Sequence, residues 1–190
     1  MHDILSELPT IITERLVLRP LTMADDEAIY AYGSDPEVSR YVSFDTHRSI
    51  EDARVFLRSV LESYAKGTDP SSFGIVLKEK ETLIGTIGYL NWSDLNKRIE
   101  IGYALSRPHW NLGYVTEATK AMIGYFFQHS DLIRIEARCT TQNIASSRVM
   151  EKAGMSFEGI LRKQAMLKGE HHDMKIYSII RDEWQRENNH

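Results

Sequence analysis

Two stretches of the sequence carry residue types that can do chemistry. "RPHWNLGYVTEATKAMI", residues 107–123, passes from a strand-like run into a helix-like one through a single glycine, Gly113, set between Leu112 and Tyr114. Gly113 is either a plain turn residue or the point where backbone must approach something bulky. A helix N-terminus exposes unpaired N–H groups and a partial positive charge, so a phosphate or pyrophosphate suits this position. The sequence has no G-x-x-x-x-G-K-[ST], and no G-x-G-x-x-G opens a helix, so neither a P-loop NTPase nor a dinucleotide-binding unit is favoured. Just ahead, "RIEIGYALS" puts Ile99, Ile101, Tyr103 and Leu105 on one face and Glu100, Gly102, Ala104 and Ser106 on the other. Apart from Glu100, that second face lacks bulk. Either a helix packs close to it or a ligand lies along it. Glu100 itself reads as a general base on this face or as a salt-bridged strand glutamate.

Further candidates follow. Asn143 opens the run "NIASSRVMEKAG" as a helix N-cap, and Ser146 lies in its first turn as a capping or surface serine. Cys139, the one cysteine, has apolar neighbours and reads as buried and inert rather than as a nucleophile; a single cysteine also forbids an intrachain disulfide. "HHD" at residues 171–173 fits neither a Cys/His zinc pattern nor a two-His helical site, so a polar hairpin turn is expected and no metal. His109 flanks the glycine loop as a surface histidine or a phosphate contact. Tyr177 is a spare donor on the last strand, expected to pack.

The elements that must position these residues are legible in the pattern. "TERLVLRPL" alternates as a strand ended by Pro20. A helix follows, with Thr22 and Asp25 as a capping box and Gly33 as its stop. The next helix is capped by Ser49, closed by Gly67, and carries Ala53, Leu57, Val60, Leu61 and Tyr64 as one stripe. "SFGIVLK", "TLIGTIGYL" and "RIEIGYALS" read as strands, with "NWSDLNK" as a hairpin turn. "TEATKAMIGYFFQ" reads as an amphipathic helix presenting Ala118, Ala121, Met122, Tyr125 and Phe126. "LIRIEARC" reads as a strand with Ile133, Ile135 and Ala137 in step. The short Asn143 helix has Gly154 at C′. Two strands about "KGEHH" and a frayed "QRENNH" end the chain. This order predicts an α/β fold whose mixed sheet is antiparallel in the middle, with helical crossovers elsewhere.

The chain of 190 residues has a net charge of −4, which argues against nonspecific nucleic-acid binding as the main task. No apolar run approaches the ~20 residues of a membrane span. The first residues lack a basic segment followed by an apolar core, so with the lone cysteine a cytoplasmic protein is expected.

With these elements in order, the sequence resembles the GNAT acyl-CoA N-acyltransferase superfamily, and within it the ribosomal-protein N-terminal acetyltransferase branch. "TERLVLRPL", "EIGYALSRPHWNLGYVTEA" and "IEARCTTQNIASSRVMEKAGMSFEGILR" carry the resemblance over about residues 13–181, most specifically over 143–159. It implies one GNAT-type acetyltransferase domain over residues 1–190, core about 10–184, with a mostly antiparallel sheet flanked by helices on both faces. It implies acetyl-CoA as co-substrate, held by Trp110, Asn111, Leu112, Gly113, Tyr114 and Val115 at the diphosphate. Trp110 stands at a usually polar position, and Val115 at a usually small one. The backbone of Ala104 and Leu105, beside Tyr103, would pair with the pantetheine arm like an added strand. Asn143 would contact the same arm, and Ser146 would protonate the leaving thiolate. Amine attack on the thioester would be direct, with Glu100 or a water path taking the proton. A second acid common in this branch is replaced by Ala165. The expected acceptor is a protein N-terminal amine of the ribosomal-protein type. A small amine (polyamine, amino sugar, antibiotic) is the alternative, or a non-catalytic CoA-binding sensor. Asp25, Asp26, Glu51 and Asp52 would greet a cationic acceptor or simply begin their helices. No direct nucleic-acid or membrane partner is expected, and a homo-oligomer stays open.

Overall fold

The computed structural model describes residues 8–69 and 71–188. A short β1 (Ile11–Ile12) and β2 (Leu16–Pro20) lead to a 3-10 turn at Met23–Asp25, then α1 (Asp26–Gly33), α2 (Pro36–Ser39) and α3 (Ile50–Lys66). Next come β3 (Ser71–Leu77), β4 (Thr82–Ser93) and β5 (Arg98–Leu105), a 3-10 turn at Arg107–His109, and α4 (Tyr114–His129). β6 (Arg134–Thr140), α5 (Ile144–Lys152), β7 (Ser156–Leu167), β8 (Glu170–Ile180) and α6 (Arg181–Asn188) complete the chain.

The strands form one eight-stranded sheet in the order β1-β2-β3-β4-β5-β6-β8-β7. Every pairing is antiparallel except β5 with β6, which α4 connects as a crossover. Alternation along the strands builds two cores. Leu16, Leu18, Ile75, Ile87 and Ile101 pack with Ala118, Met122 and Phe126 of α4 and Met150 of α5. Val76, Leu83 and Ala104 pack with Ile29 and Tyr32 of α1 and Ala53, Leu57 and Val60 of α3. The apolar stripe of α3 is thus its buried face, while Leu61 and Tyr64 lie half-buried at its edge. Gly67 closes α3 in the left-handed conformation at φ 58°. At Gly33, a Cβ would stand 2.4 Å from the ring of His47, so the glycine lets the loop before α3 fold onto α1.

Four local expectations differ from the structure. "NWS" is not turn: β4 runs on to Ser93 through a bulge, with Asn91 at φ 56°. Ile133 precedes β6 and is 56% exposed, because its N–H is drawn to the Lys97 carbonyl before the ladder begins. The small elements β1 and α2 lie where no periodicity is long enough to reveal them. The tail expected to fray is helical through Asn188, and the last two residues fall outside the described ones. Trp184 packs against Phe127 of α4 with ring centroids 5.6 Å apart, and Arg181 donates to the carbonyls of Phe127, Ser130 and Leu132. Tertiary contacts override a weak local signal there.

Candidate active site

β5 and β6 part company in mid-strand. Their shared ladder holds Arg98↔Arg134, Ile99↔Ile135 and Glu100↔Glu136, and no further pair follows. Yet β5 stays paired with β4 to Leu105, and β6 with β8 to Thr140. A wedge opens between them, with an open backbone edge along β5 beyond Glu100. The Ser106 N–H bonds the Ile84 carbonyl, so antiparallel alternation turns Ala104 toward β4 and Leu105 and Tyr103 toward the wedge. The expected backbone contribution of Ala104 is therefore corrected: Ala104 offers its small side chain, and Tyr103 and Leu105 offer the edge. A cleft of about 640 Å³ lies along this wedge. Glu100, Gly102, Tyr103, Ala104, Asn143 and Ser146 all line it.

At one end of β5 the chain enters the glycine loop. Gly113 is the residue capping α4, at φ 82° and ψ 0°, and Asn111 is also left-handed at φ 61°. These two turns aim the loop backbone at the α4 N-terminus, the arrangement that suits a diphosphate. Trp110 does not fill the place of a polar phosphate ligand. Its indole N–H donates to the Leu105 carbonyl at 2.8 Å and fastens the loop to the end of β5. Leu112 is half exposed, while Val115 is buried in the core, so its bulk turns away from the loop surface. Arg15, from the segment before β2, pairs with Glu117, donates to the Leu112 carbonyl at 2.9 Å, and lies 4.6 Å over the Tyr114 ring. It is a loop-bracing cation that sequence spacing did not single out. His109 has its Nδ1 buried without a hydrogen-bond partner among the described residues, and burial, helped by Lys80, lowers its pKa.

On the far side of the wedge, Asn143 caps α5 by accepting from the Ser146 N–H at 3.0 Å. The cap fixes the first turn of α5, and with it the Ser146 backbone. The Ser146 hydroxyl lies 2.9 Å from the Tyr103 hydroxyl across the gap. Burial pushes the Tyr103 phenol above the usual tyrosine range, so it stays protonated. Cys139 borders the cleft but is 4% exposed, and burial pushes its thiol up as well. Tyr177 is buried against Phe157 and donates to Glu151, away from the cleft.

Glu100 takes the ion pair that its sequence context allowed. It lines the cleft, and it pairs with Arg138 of β6 while accepting from the Asn91 amide at 2.8 Å. Both bonds fall on Oε2, which leaves Oε1 as the oxygen no described residue holds. Arg138 and Asn91 are site residues that sequence reading missed. The alternation of Glu136 and Arg138 against Ile135, Ala137 and Cys139 was the available signal for a polar face on a central strand. Ala165 does border the cleft, beside Gln164, and adds no acid. The opposite wall is the loop before α3, with Tyr41, Phe44 and His47. Burial lowers the His47 pKa, partly offset by Asp52. Lys168 at the β7–β8 turn reaches across to the Phe44 carbonyl and, at 3.0 Å, to Asp45. His171, His172 and Asp173 lie on strand β8 and not in the polar hairpin turn expected of them, and Asp173 accepts from the Lys163 N–H. Among the described residues no cluster of three potential metal ligands forms.

Comparison with known proteins gives this geometry a lineage. The family model for the acetyltransferase (GNAT) domain matches residues 15–156. An uncharacterised N-acetyltransferase of Bacillus licheniformis, p20, is 33% identical over 177 residues, covering 93% of this chain and 99% of that protein. The ribosomal-protein-serine acetyltransferase of Escherichia coli is 30% identical over 135 residues, covering 71% of this chain and 74% of its own. The crystal structure of a GNAT acetyltransferase from Bacillus anthracis superposes with a TM-score of 0.82 at 32% identity, covering 92% of this chain and 99% of that one. The matched span takes in both parted strands and the helix that joins them: the chain belongs to the GNAT family and is an acetyl-CoA-dependent N-acetyltransferase.

Proposed function

We propose that the acceptor is the N-terminal amine of a protein or peptide whose first side chain is small and uncharged. The observation that carries this reading is the charge of the cleft. Among the described residues its one carboxylate, Glu100, is already matched by Arg138. The acids that might have drawn a polycation are engaged elsewhere. Asp25 holds Arg19, Asp26 holds Arg54, Glu51 pairs with Arg58, and Asp52 caps α3 through the Ser49 N–H. A polyamine or aminoglycoside would bring several charges into a lining of Tyr41, Phe44, Phe56, Ser59, Ser63 and Ser72 that offers no anion for them. A single amine on a neutral chain end has only one charge to shed. The likeness to the ribosomal-protein-serine acetyltransferase supports the same acceptor class.

The residues fit acetyl-CoA. The β5 edge at Tyr103 and Leu105 offers backbone groups to an amide-bearing arm, and the α4 N-terminus with Gly113 offers N–H groups to a diphosphate. Acetyl-CoA supplies an acyl group already activated as a thioester. Glu100 Oε1 is placed to receive the proton of the incoming ammonium, directly or through one water. Ser146, held by the Asn143 cap, meets the charge left on sulfur. Much of the acceleration comes from lining up two substrates in the wedge. Buried Cys139 has no part in a covalent route. The core position of Val115 removes one reason to regard the chain as a binding-only sensor.

The test is CoA release from acetyl-CoA with peptides beginning Ser, Ala or Met, with spermine, and with an aminoglycoside. Release with the Ser or Ala peptides, and little with the polycations, is expected. Release with a polycation alone overturns the acceptor assignment. Acetyl-CoA binding by calorimetry with no release from any acceptor favours the sensor.

A further inference from the structure

The hydroxyls of Tyr103 and Ser146 meet across the wedge from two different elements, β5 and α5, at 2.9 Å. This contact bridges the gap between the parted strands where the reacting sulfur would lie. Nothing in the packing requires it, since Phe would fill the same space. The Ser146 backbone is fixed by the Asn143 cap, and the Tyr103 contact holds the Ser146 side chain in its rotamer, which leaves the rotation of the hydroxyl hydrogen. A hydroxyl has one hydrogen and two lone pairs. If Tyr103 donates to Ser146 Oγ, that oxygen has an acceptor site filled and its own hydrogen is turned elsewhere, into the cleft. The Tyr103 hydroxyl also lies 3.3 Å from the Ser146 carbonyl, which competes for the one phenol hydrogen; the contact to Ser146 Oγ is the shorter of the two, at 2.9 Å.

We propose that Tyr103 is a positioning residue for departure of the thiolate: its phenol donates to Ser146 Oγ and directs the Ser146 hydrogen at the leaving sulfur. The inference rests on the reading that Ser146 meets that sulfur. As the C–S bond breaks, its electron pair stays on sulfur. The Ser146 O–H donates a hydrogen bond to the new charge, and the Tyr103 O–H polarises Ser146 Oγ in the same direction. Neither hydroxyl gives up its proton, and the thiolate takes one from solvent after release. Tyr103 does not touch the reacting atoms.

The measurement needs no acceptor. CoA bound to the protein carries the same sulfur, and its thiol can be titrated by the ultraviolet absorbance of the thiolate, with the CoA-free protein subtracted. That subtraction removes the thiol of Cys139 on β6. Lys175 of β8, which reaches Ser147, the Glu100–Arg138 pair and His47 of the opposite wall are the other titratable or charged groups at the site among the described residues, and all the variants retain them. The set is the parent protein, Tyr103→Phe, Ser146→Ala and the double variant. Ser146→Ala is expected to raise the midpoint of the bound thiol, and Tyr103→Phe to raise it by about one pH unit. In the Ser146→Ala background, Tyr103→Phe should add nothing. Fluorotyrosine at position 103, a stronger donor of nearly the same shape, should lower the midpoint and shows that the effect is not one of packing. An unchanged midpoint in Ser146→Ala overturns the assignment of Ser146 itself. A shift in Ser146→Ala but none in Tyr103→Phe overturns the role of Tyr103 alone. Equal Tyr103→Phe shifts in both backgrounds also overturn it, because Tyr103 would then act on the sulfur directly.

Discussion

Glu100 gives one oxygen to Arg138 and Asn91 and leaves the other without a partner among the described residues, and that division bears on the proposed proton transfer. Arg138 and Asn91 anchor Oε2, so the carboxylate cannot rotate freely, and under the proposed mechanism Oε1 takes the proton. Glu100→Gln keeps the shape and removes the proton acceptor. Turnover is expected to fall about 100-fold, with acetyl-CoA affinity unchanged by calorimetry. The rising limb of the pH–rate profile should move to higher pH, since only the free amine then reacts. Turnover and profile both unchanged would assign the proton to a water path. A single anchored carboxylate also explains how the site tolerates Ala165: the second acid common in this branch has no counterpart here, and Gln164 and Ala165 leave the wall neutral.

Among the elements, the glycine loop is the part whose conformation the residue type most directly dictates. Gly113 lies at φ 82°, where L side chains are strained, although the space around it would admit a Cβ at 3.4 Å from the Arg15 guanidinium. The cost of Gly113→Ala is therefore conformational, about 1 kcal/mol, and it falls on the turn to which the proposed function assigns the diphosphate. CoA affinity is expected to drop about tenfold while the melting temperature falls by only a few degrees. An unaltered affinity would make Gly113 a turn residue and no more. This loop, the Asn143 cap and the long helices were legible in sequence because each depends on neighbours a few residues away. The Glu100–Arg138 and Tyr103–Ser146 contacts were not. They join residues 38 and 43 positions apart, and depend on how β5 and β6 are registered and where they separate. The side of β5 on which Ala104 shows its backbone was illegible for the same reason: alternation gives faces, but only the ladder gives edges. Asn91 was hidden by a bulge that a turn-like composition disguised.

At the scale of the molecule, opening the wedge weakens the sheet in its middle. Two blocks, β1 to β5 and β6 with β8 and β7, share three residue pairs where neighbouring ladders share more. The join is reinforced at its root. Glu136 is 5% exposed, accepts from Arg98 of β5 at 2.9 Å through both oxygens, and accepts from Arg134 at 2.7 Å. Arg134 continues to Glu158 and Ser178 on the outer strands, so one buried carboxylate ties both blocks together. Burial alone would raise the Glu136 pKa, but Arg134 and Arg98 more than offset it, and the acid lies below its ordinary value of 4.5. A carboxylate whose pKa is depressed on folding contributes stability that is complete above its unfolded pKa and is lost as pH falls through the folded one. Glu136→Gln leaves two arginines short of a partner, one of them fairly exposed, so a cost of about 2–3 kcal/mol is expected at neutral pH, toward the low end for a broken buried pair. For a chain of this size that is a fall of roughly 5–10 °C in melting temperature. The difference between parent and variant should hold through neutral pH, narrow below about pH 4.5, and close once Glu136 is protonated in the folded protein. CoA should stabilise the variant by more degrees than the parent, because a ligand strand laid along β5 spans the same gap. A pH-independent difference between the two melting curves would show that Glu136 supports the sheet by packing, and that the wedge is held open by its helices alone.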